Sequence, residues 1–444
     1  MTTLLDDRPF TPLAESLPRL EAACSPLVGI VTGEVATMSA TDEAPLPHCA
    51  YVLGSATRVL GAPTVEYGSG AHPDPSQARA AALGEALERY SGVFLPAERL
   101  RRATVRQLGD AAVSPSRFAL FHPSQFEIPR FPLVPFTDDT LTTFVEGVDL
   151  RDGSSTWLPA DMVYMTRPRP APPPISYSTS NGLACGPSFE EATLGALLEL
   201  VERDAVMLAW KCRLSLPLLE WSDDRELTAL ERRFFAPSGL CYGVIDGSSF
   251  LNVPIAISVL HGPRGSGAAL CVGAGAAARI QEAWLKALAE SFGVYRWLRS
   301  PVARDTEPPD SPDAVESFDD HMRFYADDER AALASFLVAS AERRPTHTIP
   351  PLEGATPRAQ IEAIVGRLAD HGISAFVVDV TAPDVRELGV SVARVVSPEL
   401  CGLDVSHRAR FLGGERLTRA AYDAGLLAEP LALEDLNPLP HPFP

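Results

Sequence analysis

The sequence predicts an α+β protein in which mixed or antiparallel sheets support helices that carry acidic side chains. Three observations lead to this fold class. The 444 residues are 46% hydrophobic, which is enough for a large core. Short apolar runs follow one another at 241–245, 253–260 and 268–272, as consecutive strands do. Long helical patterns carry pairs of glutamates, and these pairs are the most informative feature of the chain.

The overall charge and the termini exclude several classes of protein. The formal net charge is -19, whereas proteins that track nucleic-acid phosphates need basic surfaces. No signal-peptide core and no run of about 18 apolar residues occurs, so no membrane span is predicted. The seven cysteines are scattered, and no two have CxxC spacing. We therefore expect a cytoplasmic protein without a disulfide framework, a membrane or a nucleic-acid partner.

The central stretch Ser178–Ala205 passes from small residues through two glycines into a helix. The apolar residues of this helix recur at spacings of three and four: Leu194, Leu197, Leu198 and Val201. Glu199 and Glu202 lie three residues apart, so both carboxylates leave the same face of the helix, and Arg203 follows. Two interpretations are open for this ExxER pattern: a solvated, salt-bridged helix face, or a pair of carboxylates that binds a cation.

The same pattern occurs once more, earlier in the chain. A turn with Gly68 and Gly70 leads through a Pro-Ser start signal into an alanine-rich helix, which contains Glu85, Glu88 and Arg89. Two glutamate pairs in the same arrangement, each behind a glycine-bearing turn, favour a functional role over coincidence. No GxxxxGK[ST] motif is present, so a generic P-loop is not the source of any nucleotide binding.

The other predicted elements extend along the whole chain. Strands are predicted at 27–35, 48–53, 143–148, 157–165, 241–245, 253–260, 268–272, 373–381 and 389–396, and further helices near 13–24, 279–298 and 360–371. The prolines of Pro168–Pro174 predict a stiff loop. Glu282, Lys286 and Glu290 are spaced four apart; they form either an intrahelical Glu-Lys-Glu ladder or, through Glu290, a third contribution to a cation site.

Two further features need partners. Arg394 lies in the middle of an apolar strand, and a buried arginine calls for a carboxylate or a bound phosphate. The chain ends NPLPHPFP, with prolines at 438, 440, 442 and 444, so this end must be extended. A frayed terminus is the ordinary expectation; a rigid strip inserted into the protein is the alternative.

These residues resemble the YcaO family. The resemblance rests on GSGAHPDPSQARAAALGEALERY, SNGLACGPSFEEATLGALLELVERDA, GAGAAARIQEAWLKALAE, GISAFVVDVTAPDVRELGVSVARVVSPEL and the proline-rich end, and it covers roughly 27–444. The tail resembles that of the azoline-forming cyclodehydratases. Two departures stand out: Ser69 replaces a lysine that family members often carry, and Cys185 replaces a common alanine. We interpret Cys185 as a small buried residue and not as a nucleophile, because no histidine neighbours it in the sequence.

The resemblance implies ATP and Mg²⁺ as cofactors and assigns roles by position. Glu85, Glu88, Glu199 and Glu202 would be magnesium ligands. Arg89 and Arg203 would support them or meet phosphate. The residues lining the nucleotide would be Ser76, Asn181, Glu290 and Arg394. The terminal carboxylate of Pro444 would act as a base or orienting group, although a purely structural role for the tail is an equal alternative.

The implied activity is ATP-dependent cyclodehydration of Cys, with Ser and Thr as further candidates, in a ribosomally made precursor peptide. The implied partners are that precursor, a separate E1-like protein that binds its leader, a flavin-dependent dehydrogenase and a second copy in a homodimer. Formation of a thioamide or an amidine, and a nucleotide-binding scaffold without chemistry, are the alternatives. We expect residues 1–60 to form an N-terminal segment with the first strands, and residues 61–444 a catalytic domain with its tail at 438–444.

Overall fold

The computed structural model describes residues 5–35 and 43–444. Its strands are β1 Val31–Val35, β2 His48–Leu53, β3 Tyr67–Ala71, β4 Leu100–Ala103, β5 Thr142–Asp149, β6 Ser155–Pro159, β7 Leu183–Gly186, β8 Leu218–Glu220, β9 Cys241–Asp246, β10 Ile255–His261, β11 Leu270–Ala276, β12 Arg343–Pro345, β13 Phe376–Asp379 and β14 Ser391–Val396. Its α-helices are α1 Leu13–Glu21, α2 Ala56–Val59, α3 Pro75–Gly92, α4 Val105–Leu108, α5 Phe189–Lys211, α6 Arg225–Leu230, α7 Ile280–Leu298, α8 Pro301–Arg304, α9 Phe318–Phe324, α10 Asp328–Ala331, α11 Pro357–Asp370, α12 Pro383–Glu387 and α13 Arg416–Asp423. The predicted α+β class is confirmed.

The described chain divides into two compact units. Unit 1 contains residues 5–35, 47–200 and 353–400, and unit 2 contains 43–46, 201–352 and 401–444. The continuous helix α5 passes from one unit to the other between Leu200 and Val201. The boundary predicted at residue 60 falls inside unit 1, and the division into an N-terminal segment and a catalytic domain stays a prediction.

Unit 1 contains two antiparallel sheets. The first has the order β1-β2-β3, as expected for the two strands predicted before residue 60. The second has the order β4-β5-β13-β14-β7, with β6 paired to β5. Phe376, Val377 and Val378 of β13 are all buried, which explains the near-continuous apolar run there. β3 and β7 are each the last strand of their sheet.

Unit 2 contains one mixed sheet with the order β11-β10-β9-β8-β12. The meander β9-β10-β11 is antiparallel, and only β12 runs parallel to its neighbour β8. β10 is buried along six of its seven residues because both of its faces are covered. β11 is the last strand of the sheet, and α7 packs on it.

A strand-helix module, defined as a glycine-rich edge strand with the helix that follows it, occurs once in each unit. The two copies are β3-α3 and β11-α7, and their residues correspond at a constant offset of 205 (273 - 68 and 290 - 85). Gly68 and Gly70 correspond to Gly273 and Gly275. A Cβ on any of these four glycines would lie 2.4–2.5 Å from the main chain of the helix, at the corresponding residue in each copy. Glycine is therefore required for the helix to lie this close to the strand.

Some boundaries differ from the predictions. The strand predicted to begin at Leu27 begins at Val31, and Leu27 and Val28 are each 91% exposed. The strand predicted to reach Met165 ends at Pro159, where a short 3₁₀ turn follows. No helix within the described residues has the length and apolar character of a membrane span. All seven cysteines are free thiols.

Candidate functional site

An acidic cluster in unit 1 is formed by Glu85 and Glu88 of α3 and Glu199 of α5. Glu85 Oε2 accepts a hydrogen bond from the Ser69 main-chain N–H (2.7 Å), while Glu85 Oε1 lies 3.3 Å from Arg89 Nη2. Glu199 Oε2 accepts one from the N–H of Gly182, which directly precedes β7 (3.2 Å). The two ExxER helices thus bring one carboxylate to the middle of β3 and one to the residue that precedes β7.

Glu88 is the most electrostatically perturbed carboxylate of this cluster. Its side chain is only 15% exposed, and Arg89 Nη1 is 4.0 Å from its Oε1. Burial raises the pKa of Glu88 well above its ordinary value; Arg89 opposes this, and the neighbouring Glu199 and Glu85 raise the pKa further. The charge of Glu199 therefore acts on Glu88, although the two residues are 111 positions apart in the sequence (199 - 88). A carboxylate whose charged form is disfavoured in this way is the one that a bound cation would stabilise most.

A half-buried arginine, Arg89, and a buried one, Arg394, complete the cluster. Burial lowers the pKa of Arg89, but Glu88, Glu85 and Glu199 more than compensate, so the net shift is upward. Its Nε is buried and has no hydrogen-bond partner among the described residues. Burial lowers the pKa of Arg394 to about 10, against the influence of Glu199 and Glu88.

The described hydrogen bonds of Arg394 do not include the anionic partner that the sequence predicted; the charges of Glu199 and Glu88 nevertheless act on its guanidinium. Its described hydrogen bonds go to two main-chain carbonyls, from Nε to Met162 O (3.0 Å) and from Nη1 to Thr179 O (2.7 Å). Neutral carbonyls do not balance a cation, so Glu88 and Glu199 supply the compensating field.

A second cluster, in unit 2, contains Glu202 and Arg203 of α5 and Glu290 of α7. Glu202 Oε2 accepts from Ala276 N–H (2.8 Å), and Glu290 Oε2 accepts from Ala274 N–H (2.6 Å). The Arg203 guanidinium lies beside the second oxygen of each, 3.7 Å from Glu202 Oε1 and 3.8 Å from Glu290 Oε1. Glu290 is thus a member of an acidic cluster.

Lys286 of α7 has a partner outside the Glu-Lys-Glu ladder that its spacing allows. Its ammonium donates to the main-chain carbonyl of Ala276 (3.1 Å). Glu290 instead turns toward β11, where the edge strand offers an N–H. Lys286 is consequently a cation at the strand that holds Glu202 and Glu290, a role that helical spacing alone did not indicate.

The remaining predicted site residues lie in different surroundings. Ser76 is exposed in the first turn of α3, nine residues before Glu85, which is about 14 Å of helix rise. Asn181 is half-buried next to Gly182, whose N–H holds Glu199. Pro444 is half-buried and follows the fully buried Phe443. The structure therefore groups Asn181 with the first cluster and leaves Ser76 at the far end of its helix.

The proline-rich tail is fixed inside unit 2, so the frayed terminus is wrong. Asn437 donates to the carbonyls that end α5, from its main-chain N to Lys211 O (2.7 Å) and from Nδ2 to Trp210 O (3.3 Å). Trp210 Nε1 donates to Leu439 O (3.1 Å), and Tyr325 OH donates to Pro440 O (2.6 Å). Orphan carbonyls at a helix end need such donors, so the tail and α5 stabilise each other.

His441 orients the last residues of the tail. Its ring stacks on that of His321 with centroids 3.8 Å apart, its Nε2 donates to Asp404 O (2.9 Å), and its Nδ1 accepts from Phe443 N–H (3.3 Å). Burial lowers the pKa of His441 well below its ordinary value, and the charges of His321, Lys211 and Arg203 add to this effect, so the ring is neutral.

A cavity of about 320 Å³ lies in unit 1, on the face of α3 that also carries Glu88. Gln77 and Gly84 line it, and Glu88 is one further turn along the same face. Its lining includes the residues Phe10, Leu13, Gln77, Ala80, Gly84 and Cys185. Burial, and to a smaller extent Glu88, raises the pKa of the Cys185 thiol, which disfavours a nucleophilic thiolate. The residue was predicted to be small and buried; it is half-buried and lines the cavity.

A sequence model of one family, described as YcaO cyclodehydratase, ATP- and Mg²⁺-binding, matches residues 67–401. The chain belongs to the YcaO family. Both acidic clusters lie within the matched range, as do both strand-helix modules of this YcaO protein. A search of curated protein sequences gave no match.

Three solved structures place this YcaO chain among its relatives. A heterocyclase in complex with substrate and cofactor has a TM-score of 0.81 and 26% identity, over 99% of this chain and 59% of that chain. YcaO from Methanopyrus kandleri, bound with AMPPCP and Mg²⁺, has a TM-score of 0.62 and 21% identity, over 90% and 95%. The E. coli microcin synthetase McbBCD complex with pro-MccB17 bound has a TM-score of 0.57 and 14% identity, over 93% and 96%. This chain thus spans less than two thirds of the heterocyclase.

The donor set suits Mg²⁺ and a nucleotide. Mg²⁺ is held by one or two carboxylates, waters and substrate phosphates, not by an all-protein cage. Accordingly, no group of three His, Cys, Asp or Glu side chains within residues 5–35 and 43–444 is arranged to hold an ion alone. The raised pKa of Glu88 and the orphaned Arg89 Nε are what a cation and an anion would satisfy. The residues fit Mg²⁺ bound together with phosphate.

Asp204 is a structural anchor that the sequence analysis did not single out. It is fully buried and accepts from Arg416 Nε (2.8 Å) and from Cys401 N–H (3.0 Å). It directly follows Arg203, so these bonds fix the part of α5 that carries the second cluster. Arg416 is more than two hundred residues away, and for this reason no local sequence pattern indicated the pair.

Proposed function

We propose that this YcaO chain is the catalytic component of an ATP-dependent cyclodehydratase that forms thiazoline, and for Ser or Thr oxazoline, in a ribosomal precursor peptide. The observation that carries the proposal is the unit 1 cluster, in which Glu85, Glu88 and Glu199 meet Arg89 and Arg394. The match to an ATP- and Mg²⁺-binding family of cyclodehydratases supports it.

The proposed reaction removes one water from the peptide for each ring. The Cys thiol attacks the preceding carbonyl carbon, and a C–S bond forms while the carbonyl oxygen becomes a hydroxyl. That oxygen takes the γ-phosphoryl group of ATP, which leaves as ADP. Loss of the amide proton and of inorganic phosphate then forms the C=N bond. Mg²⁺ with ATP supplies the phosphoryl group and offsets the charge that develops during its transfer.

The carboxylates and arginines of the chain divide the work of binding. Glu85, Glu88, Glu199 and Glu202 are the proposed Mg²⁺ ligands, and a bound cation would stabilise the charged form of Glu88, whose pKa burial raises. Arg89 and Arg203 are proposed to meet phosphate, which would give Arg89 Nε its missing acceptor. Asn181, Glu290 and Arg394 are proposed to line the nucleotide.

The cavity beside Glu88 is the proposed nucleoside pocket. Its volume of about 320 Å³ suits a nucleoside, and Gly84 and Ala80 leave this face of α3 open. Gly84 is one turn from Glu88, so phosphates would reach the carboxylates while the base occupies the cavity. Ser76 lies one residue before the lining residue Gln77, and its predicted nucleotide contact would be at this end of α3.

The terminal carboxylate of Pro444 is proposed as the base or orienting group. The tail runs from the end of α5, where Asn437 binds Lys211, to His441, which senses the charge of Arg203. Four extended residues cover about 12 Å, and the eight helical residues from 211 to 203 cover the same length. On this basis we propose that the tail directs its end toward the second cluster.

The proposed partners are the precursor peptide and a separate E1-like protein that binds its leader, in the cytoplasm. The fold shared with the E. coli complex that was solved with pro-MccB17 bound supports an assembly of this kind. A flavin-dependent dehydrogenase that oxidises azoline to azole, and a homodimer of this chain, complete the proposal.

The test is to incubate the chain with ATP, Mg²⁺, precursor and partner and to weigh the peptide. We expect a loss of about 18 Da per ring, with release of ADP and phosphate. In the matched variants Glu199→Gln and Glu202→Gln, both ring formation and ATP hydrolysis should be lost. ATP hydrolysis that survives both changes would refute the magnesium assignment.

Other products of the same experiment separate the alternatives. A mass gain of about 16 Da from exchange of oxygen for sulfur, in the presence of a sulfur donor, indicates a thioamide. A single water lost with a link between the peptide's own amine and an amide indicates an amidine. Absence of ATP binding indicates a scaffold.

A further inference from the structure

Each glutamate of the two acidic clusters other than Glu88 accepts a main-chain N–H from an edge strand or, for Glu199, from the residue that directly precedes one. The four hydrogen bonds run from Ser69 to Glu85, from Gly182 to Glu199, from Ala276 to Glu202 and from Ala274 to Glu290. The strands concerned are β3, β7 and β11, and each is the last strand of its sheet.

The ladder geometry explains why these N–H groups are available. Along an antiparallel edge strand the N–H and C=O of alternate residues point toward the neighbour and away from it. Ser69 is directly opposite Ala50, and its N–H leaves the sheet toward Glu85. Ala274 and Ala276 are two residues apart on β11, and both of their N–H groups leave the sheet toward glutamates.

The two oxygens of three of these carboxylates have different neighbours. One oxygen of Glu85, Glu202 and Glu290 accepts the strand N–H, and the other lies 3.3–3.8 Å from an arginine. A carboxylate that is fixed at one oxygen cannot rotate freely, so the direction of its second oxygen is set before any ligand binds.

We propose that the outward N–H groups of Ser69, Gly182, Ala274 and Ala276 are positioning groups, which orient the carboxylates for Mg²⁺ and nucleotide. The proposal rests on the proposed function for the identity of the ligand. It assigns the orientation to the main chain; at Ser69 the hydroxyl adds a longer hydrogen bond to the same Glu85 oxygen (3.3 Å), beside the shorter one from the N–H (2.7 Å). Ser69 thereby keeps its role although its side chain differs from the lysine common in the family.

The test uses proline, which removes the N–H but costs the sheet no ladder bond at an outward edge position. We expect Ser69→Pro to weaken binding of Mn²⁺, measured by electron paramagnetic resonance with a non-hydrolysable ATP analogue, by about 10–100-fold. Ser69→Ala keeps the N–H and should stay within about twofold of wild type. Ala71→Pro has the same outward direction on β3 and no described glutamate partner, so it controls for proline itself.

A second pair of measurements keeps the proposal testable if Ser69→Pro does not fold. Ala274→Pro removes the equivalent N–H in unit 2 and should weaken Mn²⁺ binding in the same way. In the unsubstituted protein without ligand, the Ser69 amide should exchange slowly for an edge position, and Glu85→Ala should speed its exchange.

The outcomes separate the two proposals. A wild-type protein that binds no Mn²⁺ with the nucleotide analogue overturns the proposed function. Wild-type binding that is unchanged in folded Ser69→Pro and Ala274→Pro, or an unprotected Ser69 amide, overturns the positioning role. A purely structural role would lower the melting temperature but leave the Mn²⁺ affinity of the folded protein intact.

Discussion

The two strand-helix modules share a scaffold but differ in what they add to it. In β3-α3 and in β11-α7, paired glycines bring the helix onto the strand, and a helix glutamate accepts the N–H of the strand residue 16 positions before it. One turn later α3 carries Glu88 and Arg89, whereas α7 has Gly293 and Val294. The first module therefore contains its own second carboxylate and its own arginine, while Glu290 meets Arg203 of α5. The strand and helix of each module thus position one carboxylate, and other side chains determine which further charges lie beside it.

Glu88→Gln should have the largest effect, because it removes what α3 has and α7 lacks. Loss of a metal ligand worth several kcal/mol predicts a fall in ATP hydrolysis on the order of 100-fold or more. Glu282→Gln, on an exposed position of α7, is the matched control and should hydrolyse ATP at the normal rate.

Glu88→Gln should also be more stable than the wild type when no ligand is bound. Burial raises the pKa of Glu88, so its contribution to stability is complete at low pH and is lost as the pH rises through the folded-state pKa. At pH 8 without Mg²⁺ we therefore expect a higher melting temperature for Glu88→Gln, with a difference that shrinks as the pH falls. A melting temperature lower than wild type at pH 8 would contradict the assignment of a buried, strained charge.

Gly70→Ala and Gly275→Ala test the shared scaffold and should have an intermediate effect. The new Cβ would lie 2.4 Å from Ala78 O in one module and 2.5 Å from Ala283 O in the other. Because main-chain atoms cannot rotate away, the helix must shift, and we expect the free energy of unfolding to fall by about 1–3 kcal/mol in each case. Chemical denaturation measures this; wild-type stability in either variant would mean that the close approach is not required.

Gly293→Ala should have the smallest effect and the opposite sign. Its Cβ would meet nothing within 4 Å, and alanine in a helix interior is about 0.5–1 kcal/mol better than glycine. The denaturation midpoint should rise slightly, and Mn²⁺ binding should not change. A loss of Mn²⁺ affinity would show that Gly293, which corresponds to Glu88 at the offset of 205 residues, has a role of its own in binding.

Features that depend on local spacing in the sequence could be predicted, whereas contacts between residues far apart in the sequence could not. The paired glutamates were predictable because helix spacing places carboxylates on known faces. For Glu290 the spacing left a ladder with Lys286 and a cation site open, since nothing in a helix pattern shows that a strand carbonyl, Ala276 O, offers Lys286 a partner. The carbonyl partners of Arg394 and the burial of the tail depend on residues more than one hundred positions away. The 205-residue offset between the modules was present in the sequence, but few residues besides the glycines, alanines and glutamates carry it.

The edge positions of β3, β7 and β11 have a consequence for handling the protein. Unpaired strand edges attract other strands, and folded proteins protect them with charged side chains. Glu85, Glu199, Glu202 and Glu290 occupy such edges, so the residues proposed for metal and nucleotide binding also guard the sheets against intermolecular pairing. Alanine substitutions there expose β3, β7 or β11 to neighbouring molecules. A variant that is inactive because it has aggregated will thus look like one that has lost its ligands, unless its oligomeric state is measured first.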